Sequence, residues 1–198
     1  MSVKLIVLDC YGIVLSRGFP DTVEFLHKRY GGSKKRMMQI IYYKYFNQAA
    51  LGKISQPLAW QKAIDELKLP LSWRELHDLH ISLLKINKPA FNLAKILSKD
   101  YQVIILSKNT RMQMTATKSK HPQLEKNFLV INARDINLPK ASEQTVKYLL
   151  KKFRVKPNEV VFCDDQRNNL VASKKLGLKT VFYQSFPQFK KELLNYLE

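Results

Sequence analysis

Five side chains able to do chemistry stand where apolar runs stop. Asp9 closes KLIVLD, Ser107 closes YQVIILS, and the pair Asp164–Asp165 closes EVVFCDD, while Lys140 follows the run NFLVINA. A carboxylate can act as nucleophile, acid or base, or as ligand to a hard cation. An ammonium cancels negative charge, and a hydroxyl donates to an anionic oxygen. The set is suited to chemistry on an anion, provided that one crevice collects it.

The elements around these residues can supply that crevice. Runs at 4–10, 101–107, 127–133, 159–165 and 179–184 are apolar without alternation, as strands covered on both faces are. Helical periodicity fills 110–119, 141–153, 166–176 (closed by Gly177) and 188–197. Strand alternating with helix predicts an α/β, Rossmann-like parallel sheet of about five strands flanked by helices. Parallel strands place Asp9, Ser107 and Asp164 at one edge, where such folds bind ligands. Taken singly, each residue would be a turn, cap or solvated residue; their convergence is what points to a site. Lys140, expected at a helix N-terminus against the dipole, calls for nearby negative charge.

Between the first two strands the pattern changes. Pro20 opens a helix that stops at Gly31 and Gly32; Ser33 caps another that stops at Gly52; a third follows Ser55; and Ser72 with Glu75 forms a capping box for a fourth. This predicts a helical-bundle insert over 16–88, spliced in above the strand ends as a lid. A helix over 89–99, after Pro89, leads back to the sheet.

The chain has 198 residues, 45% of them hydrophobic, enough for a real core, and a formal charge of +18. Nucleic acid, an acidic membrane surface or anionic small substrates could answer that charge. Its even spread along the chain speaks against a dedicated nucleic-acid arm. The apolar run 5–8 is too short for a signal peptide, and no stretch is long enough to span a bilayer, so a cytoplasmic protein is expected. Cys10 and Cys163 lie inside strand-like runs and read as buried thiols.

Taken in order, LDCYGIVL, VIILSKNT, LPKASEQTVKYLL and CDDQRNNLVASKKLGLKTVFY resemble the four motifs of the haloacid dehalogenase-like hydrolases that carry a helical cap. The resemblance covers nearly the whole chain, with a core at 1–15 and 89–198 and a cap at 16–88. It implies that Asp9 attacks phosphorus and that Mg²⁺ is held by Asp9, Asp164 and the backbone carbonyl of Tyr11. Lys140 would contact Asp9 and the phosphoryl oxygens. Ser107 and the backbone N–H groups of Lys108 and Asn109 would bind those oxygens, and Asp165 would orient Lys140 or a metal-bound water. Asn169 reads as a structural hydrogen-bonder. The implied partner is an anionic, phosphorylated small molecule.

Tyr11 departs from the phosphatase pattern, which has an acid/base aspartate at that position; losing such a group costs about 10² to 10⁴ in rate. The expectation is therefore a Mg²⁺-dependent phosphate monoester hydrolase with weak turnover. Two alternatives stay open. DCYG resembles the first motif of the 2-haloacid dehalogenases, which need no metal but do need a cap arginine, Arg17 or Arg36. A non-catalytic relative could instead bind a phospholigand, a protein or nucleic acid through Lys34, Lys35 and Arg36 beside Tyr42, Tyr43, Tyr45 and Phe46, unless those aromatics fill the cap's own core.

Overall fold

The computed structural model describes residues 2–198. β1 (Leu5–Asp9) leads into a helical segment. Its helices are α1 (Phe19–Tyr30), α2 (Lys34–Met38), a π-helical stretch (Gln39–Phe46) that runs on into α3 (Asn47–Ala50), α4 (Gln56–Leu67) and α5 (Trp73–Leu83). Helix α6 (Lys88–Leu97) returns the chain to β2 (Gln102–Ser107), followed by α7 (Arg111–Lys120), α8 (Gln123–Asn127) and β3 (Leu129–Asn132). Then come α9 (Glu143–Phe153), β4 (Val160–Asp164), α10 (Arg167–Lys175), β5 (Lys179–Phe182) and α11 (Phe186–Asn195).

The five strands form one parallel sheet in the order β3-β2-β1-β4-β5, the α/β architecture expected. The apolar runs do not alternate because both faces are covered. On β1, Ile6 and Leu8 join the core built with α6, α7, α8 and α11, whereas Leu5 and Val7 join the core under α9 and α10. β2 and β4 divide their residues in the same way. Each such side chain stabilises the fold by about 1.5–3 kcal/mol relative to exposure. β1 lies between β2 and β4, with Asp9 opposite Leu106 and Leu8 opposite Cys163, so the strand order reverses beside the nucleophile candidate.

Helices α1 to α5 bury a third cluster drawn only from residues 19–76. Phe19 is its hub, with ring centroids 4.9 Å from Tyr42, 4.4 Å from Phe46 and 5.8 Å from Trp60. Tyr42 and Phe46 are thus core residues of the insert, while Tyr43 stays exposed. Where the chain leaves and rejoins the sheet the two segments run side by side: Leu15 bridges Ile86, and Ser16 N–H donates to the Lys85 carbonyl.

Local signals placed most helix ends. The Ser72–Glu75 capping box forms with both bonds made, Ser33 caps as expected, and Ser55 caps the helix that follows it. The last helix begins at Phe186, earlier than expected, because Ser185 and Gln188 make a second capping box. α9 begins at Glu143 with Ser142 as its cap, so Lys140 stands in the turn before the helix and not at its N-terminus. Its counter-charges come from elsewhere.

Candidate active site

Asp9 is buried at the carboxyl edge of β1, and its Oδ1 accepts from the N–H of Cys10 at 2.7 Å. Lys140 Nζ lies 2.5 Å from that oxygen and 2.7 Å from Asp164 Oδ2, with all three side chains almost wholly buried. Burial alone would lower the lysine's pKa, but Asp164 and Asp9 outweigh it and hold the ammonium above its ordinary range.

The adjacent acids Asp164 and Asp165 differ sharply. Asp164 accepts three hydrogen bonds: Oδ1 accepts from the N–H of Gln166 at 2.8 Å and from Asn169 Nδ2 at 2.9 Å, while Oδ2 takes Lys140. Asn169 is the structural hydrogen-bonder expected. Asp165 is not within ion-pair distance of Lys140 among the described residues, and its Oδ1 is buried without a hydrogen-bond partner. A Cβ on Gly12 would collide with the Asp165 carboxylate, and Gly12 has φ +95°, so only glycine lets the first loop approach this acid. One oxygen from each of Asp9, Asp164 and Asp165 falls within 4.8 Å of the others. Burial, then repulsion from Asp164, raises the carboxyl pKa of both Asp9 and Asp165, with Lys140 opposing.

Ser107 is buried at the end of β2, where its Oγ accepts from Asn109 Nδ2 at 2.7 Å. The backbone N–H of Asn109, expected to help cradle an anion, is committed to Asn132 Oδ1 at 3.1 Å. Lys108 Nζ sits 5.2 Å from the Tyr42 ring centroid.

Tyr11 shares the cavity but its hydroxyl is tied elsewhere. The phenol lies 2.6 Å from Thr117 Oγ1 and 3.1 Å from Gln113 Nε2, both on α7. Gln113 Oε1 in turn accepts from Gln56 Nε2 at 2.8 Å, and Thr110 Oγ1 donates to Gln56 Oε1, so a buried chain of polar groups joins the first loop, α7 and the start of α4. Burial pushes the phenol pKa up. Sequence reading missed Gln113 and Thr117 as Tyr11's partners; their i, i+4 spacing on the buried side of α7 was the available signal.

These residues enclose a cavity of about 180 Å³. Its floor includes Asp9, Ser107, Lys140 and Asp165, and its roof includes Phe19, Met38 and Tyr42 from the insert. Arg17 reaches its wall, with its guanidinium 2.7 Å from Asp21 Oδ1. Arg36 does not: it lines a separate groove with Tyr30 and Lys68. Lys34 pairs with Glu24 at the insert's surface.

The profile of the haloacid dehalogenase-like hydrolase family matches residues 26–183. The chain belongs to that family. The matched stretch contains Ser107, Lys140, Asp164 and Asp165; Asp9 precedes it and is joined to them by the position of β1 in the sheet. Among curated proteins, this haloacid dehalogenase-like hydrolase is 27% identical over 135 residues to bifunctional epoxide hydrolase 2 of Sus scrofa. That match takes in 64% of this chain and 24% of the relative, so the chain spans about a quarter of that protein's length. Among solved structures, a haloacid dehalogenase family enzyme from Bacteroides thetaiotaomicron, in complex with magnesium and inorganic phosphate, superposes with a TM-score of 0.69 at 17% identity, covering 92% of this chain and 95% of that one. The L-2-haloacid dehalogenase of Xanthobacter autotrophicus superposes with a TM-score of 0.68 at 18% identity, covering 98% and 83%. At such identities the likeness is one of fold. No helix among the described residues of this family member is long and apolar enough to cross a membrane.

Proposed function

We propose that this hydrolase cleaves phosphate monoesters with Mg²⁺ bound, that Asp9 is its nucleophile, and that residues 16–88 form a cap over the site. The observation that carries this is the buried, unpartnered Oδ1 of Asp165 beside Asp9. Three carboxylates cluster beside one ammonium, which pairs with Asp9 and Asp164 and leaves Asp165 without a counter-charge. A divalent cation with a preference for hard oxygen ligands answers both the charge and the orphaned oxygen. Because Asp165 keeps a buried oxygen without a partner while both oxygens of Asp164 already accept hydrogen bonds, the ligands assigned here are Asp9, Asp165 and the Tyr11 carbonyl. The roles first expected of the two neighbouring acids are thus exchanged, and Asp164 orients Lys140. Bound there, the cation would offset the repulsion between Asp9 and an anionic substrate and polarise the phosphoryl group.

The chain's own residues supply the rest. Lys140 and the Cys10 N–H hold Asp9 Oδ1, leaving Oδ2 to attack phosphorus in line as the alcohol departs. Water then cleaves the phosphoaspartyl bond, releasing phosphate and restoring the carboxylate. Ser107 donates to a phosphoryl oxygen, its hydroxyl oriented by Asn109, and Lys108 adds positive charge at the rim. Tyr11 cannot shuttle the proton, since its phenol is bound on α7 and its pKa is raised. The leaving group takes its proton from water, and turnover is slow by about 10² to 10⁴ relative to a site with a placed acid.

One feature favours a second reading, a 2-haloacid dehalogenase: a phenol at Tyr11 where phosphatases place a carboxyl, with Arg17 at the cavity wall. In that chemistry Asp9 displaces halide from carbon without a metal, and the unpartnered Asp165 has no purpose. A panel of phosphate monoesters and 2-haloacids, each with Mg²⁺ or EDTA and with Asp9→Asn as blank, decides between them. Phosphate release only with Mg²⁺ supports the first reading, and halide release in EDTA supports the second.

A further inference from the structure

Beside the catalytic cavity lies a second chamber of about 280 Å³, which shares Lys108, Lys140 and Asn169 with it. This chamber lies between the end of α3 and the loop after β3, and it contains Arg134 and Asn47. Lys140 is spent on Asp9 and Asp164, but Lys108 and Arg134 form no ion pair among the described residues, and no carboxylate lines the chamber. Arg134 is fixed there: Nη1 donates to Asn137 Oδ1 at 3.0 Å, and its guanidinium packs where a Cβ on Gly52 would stand. Asn47 Nδ2 donates to the Tyr43 carbonyl, which leaves Oδ1 as a buried acceptor without a partner.

Two uncompensated cations beside an unfilled acceptor describe a ligand group that is anionic and carries a hydroxyl nearby. We propose that this chamber is a specificity subsite: the substrate is a small phosphate monoester bearing a second anionic group, read by Arg134 and Lys108, and a hydroxyl, read by Asn47. This rests on the phosphatase reading for the site that cleaves. Arg134 suits the task because a planar guanidinium binds phosphate or carboxylate through two parallel bonds.

The test measures binding to the Asp9→Asn protein with Mg²⁺ by calorimetry, using glycerol 1-phosphate and glycerol 1,3-bisphosphate as probes. The bisphosphate is expected to bind about tenfold or more tightly, the size of effect a charge-assisted hydrogen bond gives. Arg134→Gln should abolish that preference while leaving glycerol 1-phosphate affinity unchanged; Arg134→Lys should keep part of it; and Lys151→Gln, on α9, should keep all of it, excluding a general effect of net charge. Equal affinity for the two probes, or a preference that survives Arg134→Gln in a protein of unchanged melting temperature, overturns the subsite. Wild-type turnover is read separately. A preference in binding without release of phosphate from either probe would remove the phosphatase reading and leave the subsite standing.

Discussion

Lys140 Nζ donates to Asp164 Oδ2 at 2.7 Å, and both side chains are almost wholly buried. The two come from the turn before α9 and the end of β4, so the contact ties separate parts of the sheet edge together while holding the ammonium against Asp9. Lys140→Met leaves two buried carboxylates without their cation. It should abolish activity and cost about 3–5 kcal/mol of stability in urea unfolding, the usual penalty for breaking a buried pair.

Asp165 should behave differently from its neighbour. Its replacement by Asn removes repulsion in the metal-free protein, so Asp165→Asn should melt at the same temperature or higher without Mg²⁺ and gain nothing when Mg²⁺ is added. The wild type should gain stability with Mg²⁺ because the ion binds only the folded form. Asp164→Asn should instead lower the melting temperature in both conditions. Thermal melts of the three proteins with and without Mg²⁺ check this.

The same acids set a pH dependence. Burial, with repulsion from Asp164, raises the carboxyl pKa of Asp9 and of Asp165 in the folded state. Groups raised on folding bind protons more readily in the folded chain, so their contribution falls as pH rises from the ordinary carboxylate range near about 4 through the raised values. Metal-free protein should therefore lose part of its stability over that window. Saturating Mg²⁺, or Asp165→Asn, should flatten the loss in urea titrations across pH.

Tyr11→Phe should leave kcat within about twofold, because the phenol takes no part in proton transfer, and should cost about 1–3 kcal/mol through the unsatisfied Gln113 amide. A fall in kcat of a hundredfold, measured on a phosphate monoester with a good leaving group, would return Tyr11 to the chemistry.

Much of this was readable in the residues, and what was not has physical causes. Strands buried on both faces leave unbroken apolar runs, so β1 to β5 and the carboxyl-edge positions of Asp9, Ser107 and Asp164 followed directly. Glycine stops and serine caps are local signals, which is why the insert's helices could be placed before α5 was known to meet α7. Which of Asp164 and Asp165 pairs with Lys140 was not readable. Adjacent residues at a strand end point in opposite directions, and only the packed sheet decides which of them meets Lys140. Tyr11's partners lie on α7, more than a hundred residues away. The chamber beside Arg134 lies where the insert's Gly52 approaches Arg134 in the loop after β3, a long-range contact that no local pattern encodes.

The polar chain through Gln56 also has a measurable consequence for the cap. Gln56→Leu removes its bonds to Gln113 and Thr110, leaving both buried, and should raise hydrogen exchange across 19–83 while sparing β1 to β5. Uniform protection in mutant and wild type would show that this chain does not hold the insert down.

The most direct measurement concerns Asp9 itself. Protein mixed with a phosphate monoester and Mg²⁺, quenched in acid during turnover and digested, should yield the peptide containing Asp9 with the added mass of one phosphoryl group on that residue. The adduct should be absent in EDTA. An unmodified Asp9 during phosphate release, or an ester on Asp9 after a 2-haloacid in the presence of EDTA, would contradict the account.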